Sequence, residues 1–324
     1  MKKILAGICA ATLLLSTVAV SGEKYTMVSV PKLRSVWFNR MEVGLKNAGE
    51  KFGIEVYQQA PAAADEAQQV RLIEDAIAQG VSAILVVPND SNSVVPAFKR
   101  AKERGMAVIT HESMNQKGAD YNIEMFDNVV YGETAMDELA KLMGEEGEYV
   151  SFVGSLTVPA HNAWADAAIA RQKKLYPKMK MVGDKFPVSE DRNLARQATL
   201  DILQTYPKVK GMLIFGSQGG PGAGLALREK RLNGKIKMVA AGTPKEVGSF
   251  LADGSMDASL LWDPSEAGYA MTYVAKLVLE GKTADIKPGM EIPGLGKIAV
   301  VKDNNILLDN PMIVTKENYK KYDF

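Results

Sequence analysis

The sequence predicts an α/β protein with two doubly wound parallel-sheet lobes that are joined by a multi-strand hinge. Strand and helix patterns alternate along the chain, and the whole alternation occurs twice in succession. The length of 324 residues suffices for two lobes of roughly 150 residues each. No long segment rich in Pro, Gly or Ser separates the two halves, so we expect several strands to cross between the lobes.

The first half predicts four strands that alternate with three helices. Val70, Ile73 and Ile77 fall on one face at helical spacing, and Gly80 is a stop signal for that helix. Residues 81–87 form a nearly unbroken apolar run, which is typical of a strand that is buried on both faces. The predicted strands are 25–30, 54–58, 81–87 and 106–110, and the predicted helices are 36–52, 65–79 and 94–104.

The second half predicts the same order, with Pro177 and Pro207 ending two of its helices. Its predicted strands are 149–153, 180–186, 211–215 and 236–240, and its predicted helices are 162–175, 191–205 and 223–230. Further strands are predicted at 122–126, 258–262 and around Ile298 and Ile306, with one more helix at 265–280. We assign residues 23–120 and 263–292 to an N-terminal lobe, and 121–262 and 293–324 to a C-terminal lobe.

The first 22 residues have the layout of a secretory signal peptide. Lys2 and Lys3 precede an uncharged apolar run over 4–20, and small residues precede the charged segment that starts at Glu23. We expect cleavage near Ser21 or Gly22 and a soluble protein in the periplasm. A membrane anchor is the alternative, but the run is at the short limit of the roughly 17–25 residues that span a bilayer.

Cysteine use and net charge exclude several classes of protein. Cys9 is the only cysteine and follows the bulky Ile8, so we expect neither a lipoprotein nor, after cleavage, a disulfide, a thiolate nucleophile or a Cys metal site. Without Lys2 and Lys3 the 39 basic residues become 37, against 38 acidic residues. A nearly neutral protein lacks the basic field that would attract nucleic acid or an anionic membrane.

The three tryptophans and two histidines of the chain all fall at predicted strand ends or beside the predicted hinge. In doubly wound sheets, ligands bind beyond the C-terminal ends of the strands. Flat aromatic faces suit the C–H faces of sugar rings, and fixed polar groups then select the hydroxyls. The alternative is that these rings only fill the cores of the lobes. Likewise Lys32 could be a surface lysine, Glu112 and His161 could be helix caps or hinge contacts, and Asp263 is a natural N-cap.

Sequence motifs for catalysis and phosphate binding are missing. The glycine-rich segment 216–222 lacks the Lys-Ser/Thr ending of a P-loop, and Pro221 removes a backbone donor, so we expect it to approach a neutral ligand closely. Neither H-E-x-x-H nor G-x-S-x-G with a plausible triad occurs, and two histidines leave few metal ligands. We therefore expect no enzyme, metal or cofactor; the remaining enzymatic alternative pairs His111 and His161 with Glu112 as acid and base.

Seven segments resemble the sugar-binding type I periplasmic binding proteins, in particular the autoinducer-2 receptors of the Lsr importer and their rhamnose- and polyol-binding relatives. Two late segments carry most weight, because a generic α/β fold does not need them: 292–297, Ile-Pro-Gly-Leu-Gly-Lys, and the ending 318–324 with Lys-Tyr-Asp-Phe. The other five are Pro31-Lys32-Leu33, Thr110-His111-Glu112-Ser113, Asn162-Ala163-Trp164, Pro221-Gly222-Ala223 and Leu261-Trp262-Asp263.

This resemblance implies three crossing strands, lobes that close on a ligand, and delivery to the permease and ATPase subunits of an ABC importer. It implies ligand contacts at Lys32, Glu112, the pair Ala160-His161, Pro221 and Ala223. The autoinducer-2 receptors carry Asp where Glu112 stands, and Asp-Gln where this chain has Ala160-His161. A related sugar or polyol is therefore at least as well supported as autoinducer-2.

The predicted function is capture of a sugar or sugar-like molecule by a monomeric solute-binding protein. An effector domain of a transcription regulator shares the fold, but it would need a helix-turn-helix before the first strand, where this chain has an export signal. A periplasmic sugar-acting enzyme is the other alternative. The predicted ligand-binding residues are Lys32, Trp37, Phe38, Glu112, His161, Trp164, Gln218, Pro221, Ala223 and Asp263.

Overall fold

The computed structural model describes residues 25–324, and strands and helices alternate throughout this part of the chain. The signal peptide predicted at 1–22 and Cys9 lie outside the described residues. Before residue 144 the elements are β1 (Thr26–Val30), α1 (Val36–Phe52), β2 (Glu55–Gln58), α2 (Glu66–Gln79), β3 (Ala83–Val86), α3 (Val95–Glu103), β4 (Ala107–His111), β5 (Tyr121–Glu124) and α4 (Asn128–Met143).

The next part of the chain repeats this alternation and ends in short strands. Its elements are β6 (Gly147–Val153), α5 (Pro159–Leu175), β7 (Met179–Met181), β8 (Phe186–Pro187), α6 (Arg192–Thr205), β9 (Val209–Ile214), α7 (Gly219–Glu229), β10 (Lys237–Ala240), α8 (Pro244–Asp253), β11 (Ala258–Leu261), α9 (Pro264–Leu279), β12 (Glu291–Ile292), β13 (Gly296–Lys297), β14 (Val300–Lys302), β15 (Asn305–Leu307) and β16 (Met312–Thr315). Within the described residues, no helix combines the length and hydropathy needed to cross a bilayer.

Two largely parallel sheets organise these elements into two lobes. The first sheet has the strand order β14-β15-β5-β4-β3-β1-β2. The second has the order β16-β11-β10-β9-β6-β7, with β8 also paired to β6. Within the first sheet β1 pairs in parallel with both β2 and β3, and within the second β9 pairs in parallel with β6 and β10. The predicted fold class, two doubly wound lobes, is confirmed.

The chain crosses between the two lobes in three short segments. The first, 125–127, leads from β5 to α4, and the second, 262–263, leads from β11 to α9. Helix α9 packs against α1 of the first lobe. The third segment, 308–311, leads from β15 back to β16 of the second sheet. These three crossings form the multi-strand hinge, and all three lie beside one another at the junction of the lobes.

The strand pairings differ from the predicted division of the chain at two places. Strand β5 pairs with β4, and β15 pairs in parallel with β5, so both belong to the first sheet. The prediction assigned 121–124 and 300–307 to the C-terminal lobe, which is wrong for these strands. The reason is that sheet membership depends on contacts between distant segments, which no local pattern reports. The lobe boundaries elsewhere remain a prediction.

Helix caps fix where the helices begin and end relative to the sheets. The Asp65 carboxylate accepts a hydrogen bond from the Gln68 N–H at 2.8 Å, and the Asp191 carboxylate caps α6 in the same way. Gly53 and Gly80 end α1 and α2 in the left-handed conformation, as their sequence positions predict. Because each helix starts just beyond a strand, the helix N-termini gather at the C-terminal edges of both sheets.

Helices α4 and α8 are present although the sequence prediction omitted them, and three other predicted elements differ from the structure by more than two residues at a boundary or by an interruption. Helix α5 begins at Pro159 rather than at 162, because proline is favoured in the first helical turn. The strand predicted over 180–186 is two short strands, interrupted where Gly183 adopts a φ of 70°. Helix α7 begins at Gly219 rather than at 223, which bears on the predicted site.

Candidate ligand-binding site

A cavity lies between the lobes at the C-terminal edges of both sheets. Both lobes and the hinge contribute to its walls. The lining residues are Lys32, Trp37, Phe38, Glu112, Tyr131, His161, Trp164, Glu190, Phe215, Gly216, Ser217, Ala241 and Trp262.

Six of the ten sequence-predicted site residues line this cavity. They are Lys32, Trp37, Phe38, Glu112, His161 and Trp164. The structure therefore brings together residues from the first strand end, from α1, from the end of β4 and from α5. Their role in ligand binding stays a prediction.

A buried amide network holds the loop that carries Lys32. The Gln69 side chain donates from Nε2 to the carbonyl oxygens of Pro31 and Val87, at 3.1 and 2.8 Å, and accepts from the Asn89 N–H at 2.9 Å. Asn89 in turn donates from Nδ2 to the Lys32 carbonyl at 2.9 Å. Because every buried polar group here has a partner, the ends of β1 and β3 are fixed relative to each other.

The Lys32 ammonium is buried between groups from both lobes. Its Nζ lies 2.9 Å from Glu112 Oε2, 3.1 Å from Glu190 Oε1 and 3.0 Å from His161 Nε2. Glu112 comes from the first lobe, whereas His161 and Glu190 come from the second. The three charged side chains are 3%, 4% and 5% exposed, so solvent screens this cluster very little.

Burial and charge oppose each other in this cluster. Burial alone would lower the pKa of Lys32, but the charges of Glu112 and Glu190 raise it above its ordinary value, so the ammonium stays protonated. Burial raises the pKa of Glu190, and the nearby Lys32 charge offsets this only in part. Protonation of Glu190 therefore costs less free energy than protonation of an exposed carboxylate does.

Each histidine has a defined neutral tautomer. Burial, together with the Lys32 charge, holds the pKa of His161 well below its ordinary value. The Gly154 N–H donates to His161 Nδ1 at 3.0 Å, so the ring proton is on Nε2. His111 has the opposite arrangement, because its Nδ1 lies 2.7 Å from the Ile123 carbonyl oxygen, which can only accept. Burial lowers the pKa of His111 as well.

Glycine at position 154 allows Glu190 and His161 to approach the end of β6. A Cβ built there would lie 2.6 Å from Glu190 Cγ and 3.0 Å from His161 Nδ1. Any larger residue would push these two side chains away from the cavity. The backbone at this strand end thus determines how closely the second lobe's polar groups surround Lys32.

Aromatic rings form much of the cavity wall beside this cluster, and all three tryptophans take part. Trp262 lies edge to face with Trp37 at a centroid distance of 5.1 Å and with Trp164 at 5.9 Å. Tyr131 lies 4.4 Å from Trp164, and its hydroxyl donates to the Leu260 carbonyl. Trp164 Nε1 donates to Asn128 Oδ1, whereas Trp262 Nε1 is buried with no hydrogen-bond partner among the described residues. The site thus offers apolar faces and an indole donor.

Pro221 and Ala223 are not among the residues that line the cavity, and their contact with a ligand stays a prediction. Both lie buried in the first turns of α7, where the Gly222 N–H bonds to the Gln218 carbonyl oxygen. Proline is tolerated in a first helical turn because its missing N–H would have no intrahelical partner there. The glycine-rich segment is thus a helix start rather than an open loop, and only Gly216 and Ser217 of it reach the cavity.

Asp263 and Gln218 have other partners and are not among the lining residues. The Asp263 carboxylate caps α9 by accepting from the Ser265 N–H at 2.9 Å, and it binds Arg40 through both oxygens at 2.8 and 2.6 Å. The N-cap alternative stated for Asp263 therefore describes its place in the structure. Gln218 lies near Arg192, with 3.4 Å between Oε1 and the guanidinium Nη2.

Seven lining residues are absent from the predicted list of ligand-binding residues, although two of them, Gly216 and Ser217, belong to the segment that was expected to approach a neutral ligand. Trp262 and Glu190 stood at recognised strand ends, so a signal was available for both. Tyr131 was missed because α4 was not predicted. The remaining four line the cavity mostly by their place beside strand ends of the second sheet: Phe215, Gly216, Ser217 and Ala241.

Within residues 25–324, no group of three or more His, Cys, Asp or Glu side chains is arranged to hold a metal ion. The cavity combines aromatic faces, an ammonium donor, two carboxylates and an imidazole. A neutral molecule with several hydroxyls could use all of these groups.

The sequence model of the periplasmic binding protein domain family matches residues 26–283. The chain belongs to this family. The match covers strands β1 to β11 and every residue that lines the cavity, and it ends before β12. The resemblance inferred from the sequence is thereby confirmed.

Curated relatives of known name match most of the chain. The ribose import binding protein RbsB of Bacillus subtilis is 25% identical over 256 residues, 79% of this chain and 81% of that protein. The D-apiose import binding protein of Actinobacillus succinogenes is 25% identical over 295 residues, 87% and 91% of the two chains. The D-xylose-binding periplasmic protein of Escherichia coli is 27% identical over 262 residues, 75% and 77%. The predicted functional class, a sugar-binding protein of an importer, is the class of these relatives.

Solved structures share the fold over nearly the whole described chain. LsrB from Clostridium saccharobutylicum, in complex with AI-2, superposes with a TM-score of 0.86 at 24% identity, covering 92% of this chain and 100% of that one. An ABC transporter solute-binding protein from Clostridium phytofermentas, with bound L-rhamnose, gives 0.85 at 23% identity, covering 92% and 98%. At this identity the likeness establishes the fold.

Proposed function

We propose that this protein is the solute-binding component of an ABC importer and that it captures a sugar or sugar-like small molecule in the cavity between its lobes. One observation carries the proposal: groups from both lobes and from the hinge meet around one cavity that combines three indole rings with a buried Lys–Glu–His cluster. Closure of the lobes would assemble this site around a ligand.

Two groups of relatives support the sugar class. Those named for ribose, D-apiose, D-xylose and xylitol match most of the chain. L-rhamnose and AI-2 occupy structures with the same fold. Autoinducer-2 remains the second candidate ligand. The observation against it is that Ala160 and His161 supply no carboxylate or carboxamide, so that a ligand hydroxyl would lose an acceptor at about 1–3 kcal/mol for each unmatched group.

The proposal extends to place and partners. The predicted signal peptide supports export to the periplasm, where a monomer would deliver its ligand to a permease and an ATPase. We propose no enzymatic activity, because neither histidine is hydrogen-bonded to a carboxylate: His111 Nδ1 donates to a backbone carbonyl, and His161 Nδ1 accepts from the Gly154 N–H. Incubation of each bound sugar with the protein, followed by NMR of the sugar, would reveal any turnover.

The test is a binding screen with a defined panel: D-ribose, D-xylose, D-apiose, L-rhamnose, D-arabinose, xylitol and autoinducer-2. We expect at least one to change the tryptophan fluorescence and to stabilise the fold by about 2.7 kcal/mol at a hundredfold excess over Kd. Lys99→Ala, on an exposed helix face, is the control and should bind as the wild type does. No response to any member of the panel would contradict the proposal.

A further inference from the structure

The contact between Lys32 and His161 joins two hydrogen-bond donors. His161 Nδ1 already accepts from the Gly154 N–H at 3.0 Å, so the neutral ring carries its proton on Nε2. Nε2 lies 3.0 Å from Lys32 Nζ, and an ammonium has no lone pair to accept that proton. Glu190 Oε1 lies 3.7 Å from Nε2, beyond an ordinary hydrogen bond. Lys32 has carboxylate partners for two of its three N–H groups, so its third N–H and the His161 Nε2–H face each other without an acceptor.

Unused polar atoms lie around the same cavity. Glu190 Oε2 is buried and has no hydrogen-bond partner among the described residues, although Oε1 of the same carboxylate binds Lys32. Trp262 Nε1 is buried and unpartnered as well. Buried polar groups are nearly always hydrogen-bonded in native proteins, so these atoms point to a bound molecule that satisfies them.

The charges of the lining residues limit what that molecule can be. Lys32 is the one cation among the lining residues, and it already contacts Glu112 and Glu190. An anionic ligand would bring a further negative charge beside two carboxylates in a buried site, where like charges repel strongly. A neutral ligand with an acceptor oxygen and a neighbouring hydroxyl would match the donors and the free carboxylate oxygen together.

We propose that Lys32 Nζ and His161 Nε2–H are a pair of donors for a single ligand oxygen, that Glu190 Oε2 accepts a hydroxyl of the same ligand, and that the ligand is an uncharged polyhydroxy compound. The ligand oxygen enters between Nζ and Nε2 and turns an unfavourable donor–donor contact into two hydrogen bonds. Glu190 thus acts as a specificity-determining residue against sugar acids. This inference rests on the proposed function, because it describes the ligand of the same site.

The first test reads the histidine tautomers and needs no ligand. The chain has only two histidines, so ¹⁵N-histidine labelling gives two imidazole signals, which His161→Gln assigns. We expect His161 to be protonated at Nε2 and His111 at Nδ1, and the opposite tautomers make each ring a control for the other. A proton on His161 Nδ1, or on both of its nitrogens at neutral pH, would overturn the donor pair.

The second test measures affinities for matched neutral and acidic ligands: D-ribose and D-ribonate, D-xylose and D-xylonate, L-rhamnose and L-rhamnonate. We expect each neutral sugar that binds to do so at least about a hundredfold more tightly than its acid. We also expect Glu190→Gln to reduce the ratio of the affinity for each neutral sugar to the affinity for its acid. A merely structural role for Glu190 would not produce this change. Equal or tighter binding of an acid by the wild type would refute the exclusion of anions.

The third test separates the donor from the shape of His161. His161→Gln retains an N–H group, whereas His161→Leu removes it at similar volume. We expect the Leu variant to bind at least about tenfold more weakly than the Gln variant, with both folded by circular dichroism. Equal affinities in the two variants would contradict the donor pair. If none of the neutral sugars binds the wild type while the tautomers are as expected, the proposed sugar function fails and the donor pair stands.

Discussion

Trp37 and Trp262 meet edge to face, with their ring centroids 5.1 Å apart and their planes at 89°. Trp37 belongs to α1 of the first lobe, and Trp262 belongs to the crossing segment 262–263. The contact therefore joins a wall of the cavity to the hinge itself. Any rotation of the lobes changes the surroundings of Trp262, which also lies 5.9 Å from Trp164 of the second lobe.

This arrangement predicts which tryptophan reports ligand binding. Trp262→Phe should remove most of the ligand-induced fluorescence change, because it removes the indole that contacts both lobes and the hinge. Trp37→Phe and Trp164→Phe, each with two indoles left, should retain a measurable change. The measurement is a fluorescence titration of all three variants with the same sugar. A full-sized signal in Trp262→Phe would show that another indole is the reporter.

Removal of the Lys32 charge should destabilise the protein. Lys32→Met leaves Glu112 and Glu190 as buried carboxyl groups without their cation, and breaking such a cluster costs about 3–5 kcal/mol. Adding Glu112→Gln to Lys32→Met should recover part of that loss, because it removes one of the unpaired charges. Urea unfolding measures both variants. If the double variant is no more stable than Lys32→Met alone, the cluster does not behave as a charge-balanced unit.

Glu124 should make stability fall as the pH rises. Burial raises its pKa to about 8 from the ordinary value of 4.5, although Asn122 donates to its carboxylate at 2.8 Å. Between these two values the unfolded chain releases a proton that the folded protein keeps. The free energy of unfolding therefore decreases with pH across this window, by up to about 1.4 kcal/mol per pH unit, and levels off above it.

Glu124→Gln tests this dependence, because glutamine is neutral at every pH and still offers an oxygen to Asn122. Between pH 5 and 8 we expect the free energy of unfolding of the variant to fall less steeply with pH than that of the wild type. The difference in slope should be that of about one proton. Thermal unfolding at several pH values gives both curves. Parallel curves for the two proteins would show that Glu124 is not the group responsible.

The contact between α1 and α9 should not tolerate a side chain at Gly44. A Cβ built there would lie 1.7 Å from the Ser265 carbonyl oxygen, a backbone atom that cannot turn aside. Gly44→Ala should therefore cost about 1–3 kcal/mol or more by forcing the helices apart. Val43→Ala on the exposed side of the same helix is the matched control and should change stability by less than about 0.5 kcal/mol. If Gly44→Ala left the stability unchanged, helices α1 and α9 would have to readjust at no cost in free energy.

Much of the fold and the site could be predicted from strand ends. Val81 to Val87 and the caps at Asp65 and Gly80 define local elements, because periodicity and capping act within a few residues. Parallel strands then bring their C-terminal ends to one edge, which is why Lys32, Glu112 and Trp164 were predicted to share a site. All three line the cavity.

The differences from the predicted site arose where tertiary contacts decide the outcome. The resemblance places Pro221 and Ala223 at the ligand, whereas in the structure both lie in helix α7, which begins at Gly219, and neither lines the cavity. In the sequence Glu190 gives only a weak indication of a ligand site, because an acidic residue directly before an N-cap such as Asp191 is common. Its partner Lys32 lies far away in sequence, and no local pattern connects the two.

The parallel pairing of β5 with β15 has a consequence for how the polypeptide reaches its native state. The register joins Asn122 to Asn305 and Glu124 to Leu307, so β15 and β14 can join the N-terminal sheet only after most of the chain has been synthesised. Helix α9, which covers α1, is likewise encoded late. A nascent chain emerging from the ribosome would therefore hold an unfinished first lobe with an open sheet edge, the kind of intermediate that chaperones shield.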